Sequence, residues 1–179
     1  MSDIIICYCT GAGHTRRLAE HIARGVSSAA LLDVETIADE DWARLHAARA
    51  ILFGAPTYMG SAAGAFKTFM DATSDFWLDQ LWQNKIAGGF TTGSANAGDK
   101  SLTLMSFATL AAQHGMIWVG QAEIGPPANT SNGEINRDGF WLGLAATASR
   151  DKSELIMPAD AETARRYGVR IAEAVARWG

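Results

Sequence analysis

Ile4-Ile5-Ile6-Cys7-Tyr8-Cys9-Thr10-Gly11-Ala12-Gly13-His14-Thr15 begins as an apolar, β-rich run, breaks into glycines and hydroxyl residues, and passes into a helical pattern. A strand, turn and helix in this order aim unpaired backbone N–H groups, at the positive end of a helix, at an anion above them. The Thr10 and Thr15 hydroxyls add neutral donors. The competing reading is a tight connection that holds no ligand. Placed at the first strand, the stretch predicts an α/β fold built on a parallel sheet.

Two phosphate-binding patterns fail here on specific residues. A P-loop ends in Gly-Lys-Ser/Thr, because the lysine reaches the outer phosphates and the hydroxyl holds Mg²⁺; this loop has Gly13-His14-Thr15. The dinucleotide fingerprint has a third glycine three positions after the second, and Arg16 stands there. What is left is a loop of neutral donors, suited to one terminal phosphate such as that of a flavin mononucleotide.

Outward from this loop, strand-like and helix-like patterns alternate. Leu18, Ile22, Val26 and Ala29 recur at helical spacing. Strands are expected at residues 4–8, 31–37, 50–54, 86–92 and 116–120, and helices at 39–46, 64–73, 99–113 and 159–178. In open sheets of this kind ligands bind beyond the carboxyl ends of the strands. Two further loops lie at such ends. One is Ala55-Pro56-Thr57-Tyr58-Met59-Gly60-Ser61-Ala62; the other is Thr91-Thr92-Gly93-Ser94-Ala95-Asn96-Ala97-Gly98. Their small residues let backbone amides approach a flat ring, although each is also an ordinary connector in composition.

A chain of 179 residues with 48% hydrophobic content fits one domain, residues 1–179. A net charge of −4 without a basic cluster speaks against a nucleic-acid partner. No apolar stretch approaches the ~18 residues of a bilayer span, and no secretory signal opens the chain, so no membrane insertion and a cytoplasmic location are expected. Cys7 and Cys9 fall on one face of the first strand and read as buried thiols rather than a bridge. No metal site is expected.

Tyr8-Cys9-Thr10 with Gly13-His14, Pro56-Thr57-Tyr58-Met59-Gly60, Phe66-Lys67-Thr68-Phe69-Met70-Asp71 with Trp77, and Leu110-Ala111-Ala112-Gln113-His114-Gly115-Met116 together carry a family likeness. Over most of its length the chain resembles the flavodoxin-like FMN proteins, and among them the WrbA-type NAD(P)H:quinone oxidoreductases and NADPH-dependent FMN reductases. The resemblance implies a flavodoxin-like three-layer sandwich, a five-stranded parallel sheet in the order 2-1-3-4-5 with helices on both faces. It implies FMN with its phosphate in the loop Thr10, Gly11, Ala12, Gly13, His14 and Thr15. The ring would lie against Pro56, Thr57, Tyr58, Met59 and Gly60 on one side and Thr91, Thr92, Gly93, Ser94 and Asn96 on the other.

The implied activity passes two electrons from NADPH or NADH through FMN to a quinone-like acceptor, in a homodimer or homotetramer. His114 is implied as a catalytic residue beside the ring. Its other reading is a helix-end histidine with Gly115 as the left-handed cap, and both stay open at this point. His14 is expected to position its loop, Arg137 to meet nicotinamide phosphates or else to stand solvated on its loop, and Tyr58, Phe140 and Trp141 to wall the pocket, with a subunit contact the alternative for Trp141. The chain departs from the family pattern at Gly11-Ala12, at Tyr58 and beyond Gly120, where residues 121–158 form a long connection. A flavodoxin-type electron carrier that does not oxidise NAD(P)H, and a domain that has lost its cofactor, are the alternative functions.

Overall fold

The computed structural model describes residues 3–151 and 154–178. Five parallel segments make the body of the sheet: β1 (Ile4–Tyr8), β2 (Ala29–Asp33), β3 (Ala50–Tyr58), β5 (Ile86–Gly93) and β6 (Ile117–Trp118), in the order β2-β1-β3-β5-β6. This is the flavodoxin-like 2-1-3-4-5 order. Two short strands bring the sheet to seven: β4 (Ser61–Ala62) folds back antiparallel on β3, and β7 (Leu144–Thr147) pairs in parallel with β5.

The central strands are buried on both faces, which is why β1 and most of β3 read as unbroken apolar runs. Alternation still sorts the side chains. Ile4, Ile6 and Tyr8 face α1 (His14–Ala23) and α5 (Pro158–Trp178), whereas Ile5 and Cys7 face α2 (Asp39–Ala47), α3 (Gly64–Ala72) and α4 (Lys100–Gln113). The second layer is aromatic. Phe53 packs with Phe66, Phe107 and Trp82 at centroid distances of 6.2–6.4 Å. Close backbone approach needs glycine where α1 ends against α5, because a Cβ on Gly25 or Gly168 would strike the Arg165 or Ile22 carbonyl.

Four expected boundaries move. The second strand ends at Asp33, not at residue 37, because the Asp33 carboxylate accepts the Glu35 N–H at 3.1 Å and turns the chain into a 3₁₀ segment, Val34–Thr36. The third and fourth strands run on into what reads as loop, so that Ala55–Tyr58 and Thr91–Gly93 carry ladder hydrogen bonds. The fifth strand is split. β6 covers only the lower part of β5, pairing with Ile86 and Ala87; the chain then leaves the sheet from residue 119 to residue 143 and returns as β7 on Phe90–Gly93. Residues 121–158 are therefore an excursion plus the upper half of the last strand. None of the described helices is long and apolar enough to cross a membrane.

Candidate functional site

At the carboxyl ends of β1, β3, β5 and β7 lies a cavity of about 230 Å³. Its floor is the first loop, with Thr10, Gly11, Ala12, His14 and Thr15; its walls are Pro56, Thr57 and Tyr58 on one side and Thr92, Gly93 and Ser94 on the other, closed by Ala148. Gly13 turns the chain into α1 with φ 95°, a left-handed conformation that glycine adopts without the steric cost of a Cβ. The Thr10 hydroxyl caps this helix, accepting the Gly13 N–H at 3.1 Å and the Arg16 N–H at 3.4 Å. Its own proton stays available to an acceptor in the cavity.

The N–H groups of Gly11, Ala12, His14 and Thr15 have no partner among the described residues. No acidic side chain stands in the first turn of α1. Unpaired donors at a positive helix end form an anion cradle, and they fit a phosphate monoester. Above them the Tyr58 side chain leans over the loop, its hydroxyl where a Cβ of Gly11 would be. The glycine leaves room for that ring.

Hydroxyl pairs hold the walls in register. Thr91 donates to the Ala55 carbonyl at 2.7 Å, so it accepts from Thr57 at 2.8 Å, and Thr57 in turn accepts from Thr103 at 2.9 Å. This relay commits the protons of Thr57 and Thr91 to the protein. Thr15 and Thr92 pair at 2.9 Å, which leaves one proton between them. His14 donates from Nε2 to the Ser149 carbonyl at 3.0 Å and so ties the first loop to the chain after β7. Because a carbonyl only accepts, that nitrogen carries the hydrogen.

Not every expected residue reaches the cavity. Thr91 lies behind the wall, fully buried. Gly13 shapes the loop from below. Met59 and Gly60 form the two-residue turn between β3 and β4, with φ of 50° and 78°, and Met59 is wholly exposed. Asn96 lines a second cavity on the far side of its loop.

His114 is a correction. It follows the last turn of α4, and at 1.5 Å per residue that is roughly 20 Å from the start of the helix, the end joined to the Gly93–Ser94 wall of the cavity. It is 1% exposed, packed against Trp82 and Phe76 at centroid distances of 4.9 and 5.7 Å, with Nε2 on the Thr73 hydroxyl at 2.9 Å. Burial lowers its pKa. The helix-end reading is the one this geometry supports, with Gly115 left-handed after it at φ 65°.

Arg137 is a second correction. It turns inward to Asp160 at 3.3 Å and to the Met157 sulfur at 3.1 Å, so it is no free surface arginine. It belongs to a buried cluster at the edge of the site. Lys100, fully buried, lies 3.1 Å from the Thr147 hydroxyl and 3.6 Å from the Asp138 carboxylate, with its ammonium 5.1 Å from the Phe140 ring centre. Burial lowers the Lys100 pKa, and the neighbouring Asp138 and Asp160 oppose the shift. Burial raises the Asp160 pKa, and Arg137 opposes it. The cluster clips the 119–143 excursion to β7, α4 and α5.

Sequence reasoning missed Ala148, Thr103 and Lys100. Ala148 has no functional group and reaches the cavity only because β7 pairs with β5, its N–H donating to the Gly93 carbonyl at 2.8 Å. Thr103 and Lys100 were legible only as positions in a helix.

Residues 4–127 match the family model described as NADPH-dependent FMN reductase. Among curated proteins the chain is similar to flavodoxin FldP of Pseudomonas aeruginosa (strain UCBPP-PA14), 41% identical over 96% of both chains. It is also similar to an NAD(P)H dehydrogenase (quinone) of Syntrophus aciditrophicus (strain SB), 31% identical over 65% of this chain and 70% of the other. Among solved structures, the WrbA-like flavodoxin of Agrobacterium tumefaciens superposes with a TM-score of 0.80 at 35% identity, covering all of both chains. With the sheet order, the phosphate-type cradle and these likenesses in agreement, the chain belongs to the NADPH-dependent FMN reductase family, as a flavodoxin-like protein of the WrbA type.

Proposed function

We propose that the cavity holds FMN and that the protein is an oxidoreductase passing two electrons from NADPH or NADH to a quinone-like acceptor. The observation that carries the reading is the set of unpaired N–H groups at Gly11, Ala12, His14 and Thr15 below wall residues that leave a slot for a flat ring. When bound, FMN supplies the hydride and electron chemistry that no side chain here provides.

The chain's own residues bind and orient. The first loop takes the phosphate, with the Thr10 proton as an added donor. Pro56 and Tyr58 limit the ring on one side, and the backbone around Gly93 and Ser94 offers donors to its polar edge. The threonine relay fixes the spacing of β3 and β5, and therefore the width of the slot. Donor and acceptor share one opening, which implies a ping-pong order. We place the protein in the cytoplasm, as a homodimer or homotetramer; the family likeness is the support for both.

The test is anaerobic: load the protein with FMN, add NADPH or NADH, and follow the oxidised flavin band. Rapid bleaching reversed by a benzoquinone supports the oxidoreductase. The likeness to flavodoxin FldP favours a second reading, a one-electron carrier. Tight FMN binding without bleaching would select it.

A further inference from the structure

The Gly93 wall of the FMN cavity has a buried cation directly behind it. A Cβ on Gly93 would come within 3.2–3.3 Å of Lys100 Cγ and Cδ and 4.0 Å of its Cε, so the glycine lets the lysine stem lie close against the back of the wall. The ammonium ends 3.1 Å from the hydroxyl of Thr147, the neighbour of Ala148, which closes the same cavity. We infer that the Lys100 ammonium stabilises the negative charge that the FMN ring gains on two-electron reduction, and so raises the potential of the bound cofactor. The inference rests on the proposed FMN reading and deepens it by naming the residue that tunes the redox step.

Three observations carry it. First, the charge stands where stability alone would not put it. Lys100 is the first residue of α4 and fully buried. Burial strips an ammonium of its hydration, and the positive end of a helix repels it. An apolar side chain of the same length would fill the space without either cost, and buried ion pairs replaced in that way commonly leave a protein as stable or more so. A cation kept against both costs has a use for its charge.

Second, the counter-charge lies on the far side. The Asp138 carboxylate is 3.6 Å from the ammonium and lines the cavity beyond the loop, not the FMN cavity. Asp138 is shared with Arg137 at 3.9 Å and with the Thr147 hydroxyl at 3.2 Å, and Asp160 is taken up by Arg137 at 3.3 Å. Both carboxylates favour the charged form of the amine. The pair thus turns its positive member to the FMN wall. Third, the ammonium is dry, with the Phe140 ring centre 5.1 Å away. Its field is screened far less than that of a surface charge. A hydride from NADPH or NADH carries two electrons and one proton to the ring and leaves it one added negative charge; Lys100 acts on that charge through the Gly93 wall and gives up no proton.

The test measures, at one pH, the affinity of the apoprotein for oxidised FMN by fluorescence titration and the two-electron midpoint potential of the loaded protein against reference dyes. Together they give the ratio of affinities for reduced and oxidised FMN. Lys100→Met should lower that ratio by roughly tenfold or more, a midpoint lower by about 30 mV or more. Lys100→Arg keeps the charge and should stay within about threefold of the wild type. Asp138→Asn removes the counter-charge, keeps the ammonium, and should raise the ratio several-fold. Opposite signs for the two partners of one ion pair are what a charge effect produces, whereas a merely structural latch would fail alike in both.

A midpoint that Lys100→Met leaves unmoved overturns the inference, and so do shifts of the same sign in Lys100→Met and Asp138→Asn. Should Lys100→Met not fold, Asp138→Asn decides alone: a midpoint unmoved or lowered overturns the inference, and a raised one supports it. Failure of the wild type to bind FMN appears in the titration, before any potential is read, and overturns the FMN reading together with this one; FMN bound with an unresponsive midpoint overturns this one only.

Discussion

Thr10 does two jobs with one oxygen, accepting N–H groups of its own helix and keeping a proton for the ligand. Thr10→Val removes both. Stability should fall by about 1 kcal/mol through the lost cap, and FMN affinity by about 1–2 kcal/mol, a factor of roughly 5–30, through the lost donor. Thr10→Ser should restore both; urea unfolding and flavin fluorescence titration read the two effects separately. His114 acts on stability rather than on turnover. Its pKa is lowered from 6.5 by burial, so the unfolded chain binds its proton more tightly than the folded one. The stabilisation linked to this group is present above pH 6.5 and is lost as pH falls through the folded pKa. His46, lowered first by burial and then by the Lys85 charge, adds to the same slope. Urea midpoints at pH 7.5 and 5.5 should therefore differ more in the wild type than in His114→Gln, with turnover at neutral pH little altered. The same burial holds the Cys9 thiol up to about 12 and pushes that of Cys7 higher still. Both should resist a thiol reagent in native protein and react once it unfolds.

Among the elements, the crossing of α1 and α5 is the tightest. Gly168→Ala would set a methyl against the Ile22 carbonyl, a backbone atom that cannot swing aside. A loss of about 1–3 kcal/mol is expected, several degrees in Tm for a chain of this size. Gly64→Ala, in open space at the start of α3, should be neutral or slightly stabilising, and differential scanning of the pair checks both. The same elements show what the sequence made legible. β1, β3 and β5 announce themselves because burial on both faces demands continuous apolar runs. β7 does not, because Leu144-Ala145-Ala146-Thr147 follows a glycine and is too short to show a period, and its place is decided by the Lys100, Arg137, Asp138 and Asp160 cluster. The phosphate loop was legible because its residues are consecutive. The threonine relay was not, because Thr57, Thr91 and Thr103 meet only after three elements pack. His114 misled for the opposite reason: a familiar local pattern says nothing of which end of the sheet it occupies.

At the scale of the whole molecule, one end of the sheet carries the cavity with its unpaired N–H groups and the other the aromatic packing around His114 and Trp82. Two cavities share the loop between β5 and α4, one with a cradle for an anion and one with an aromatic, acidic wall. The central claim is that the first loop recognises the phosphate of FMN, and the most direct measurement compares FMN with riboflavin, which has the same ring and no phosphate, by flavin fluorescence titration of the apoprotein. With about 1.5–3 kcal/mol for each charge-assisted hydrogen bond, FMN should bind tighter by on the order of a hundredfold or more, and Thr10→Val should reduce that preference by a factor of roughly 5–30. Equal affinity for the two flavins, or no saturable binding of either, would contradict the account.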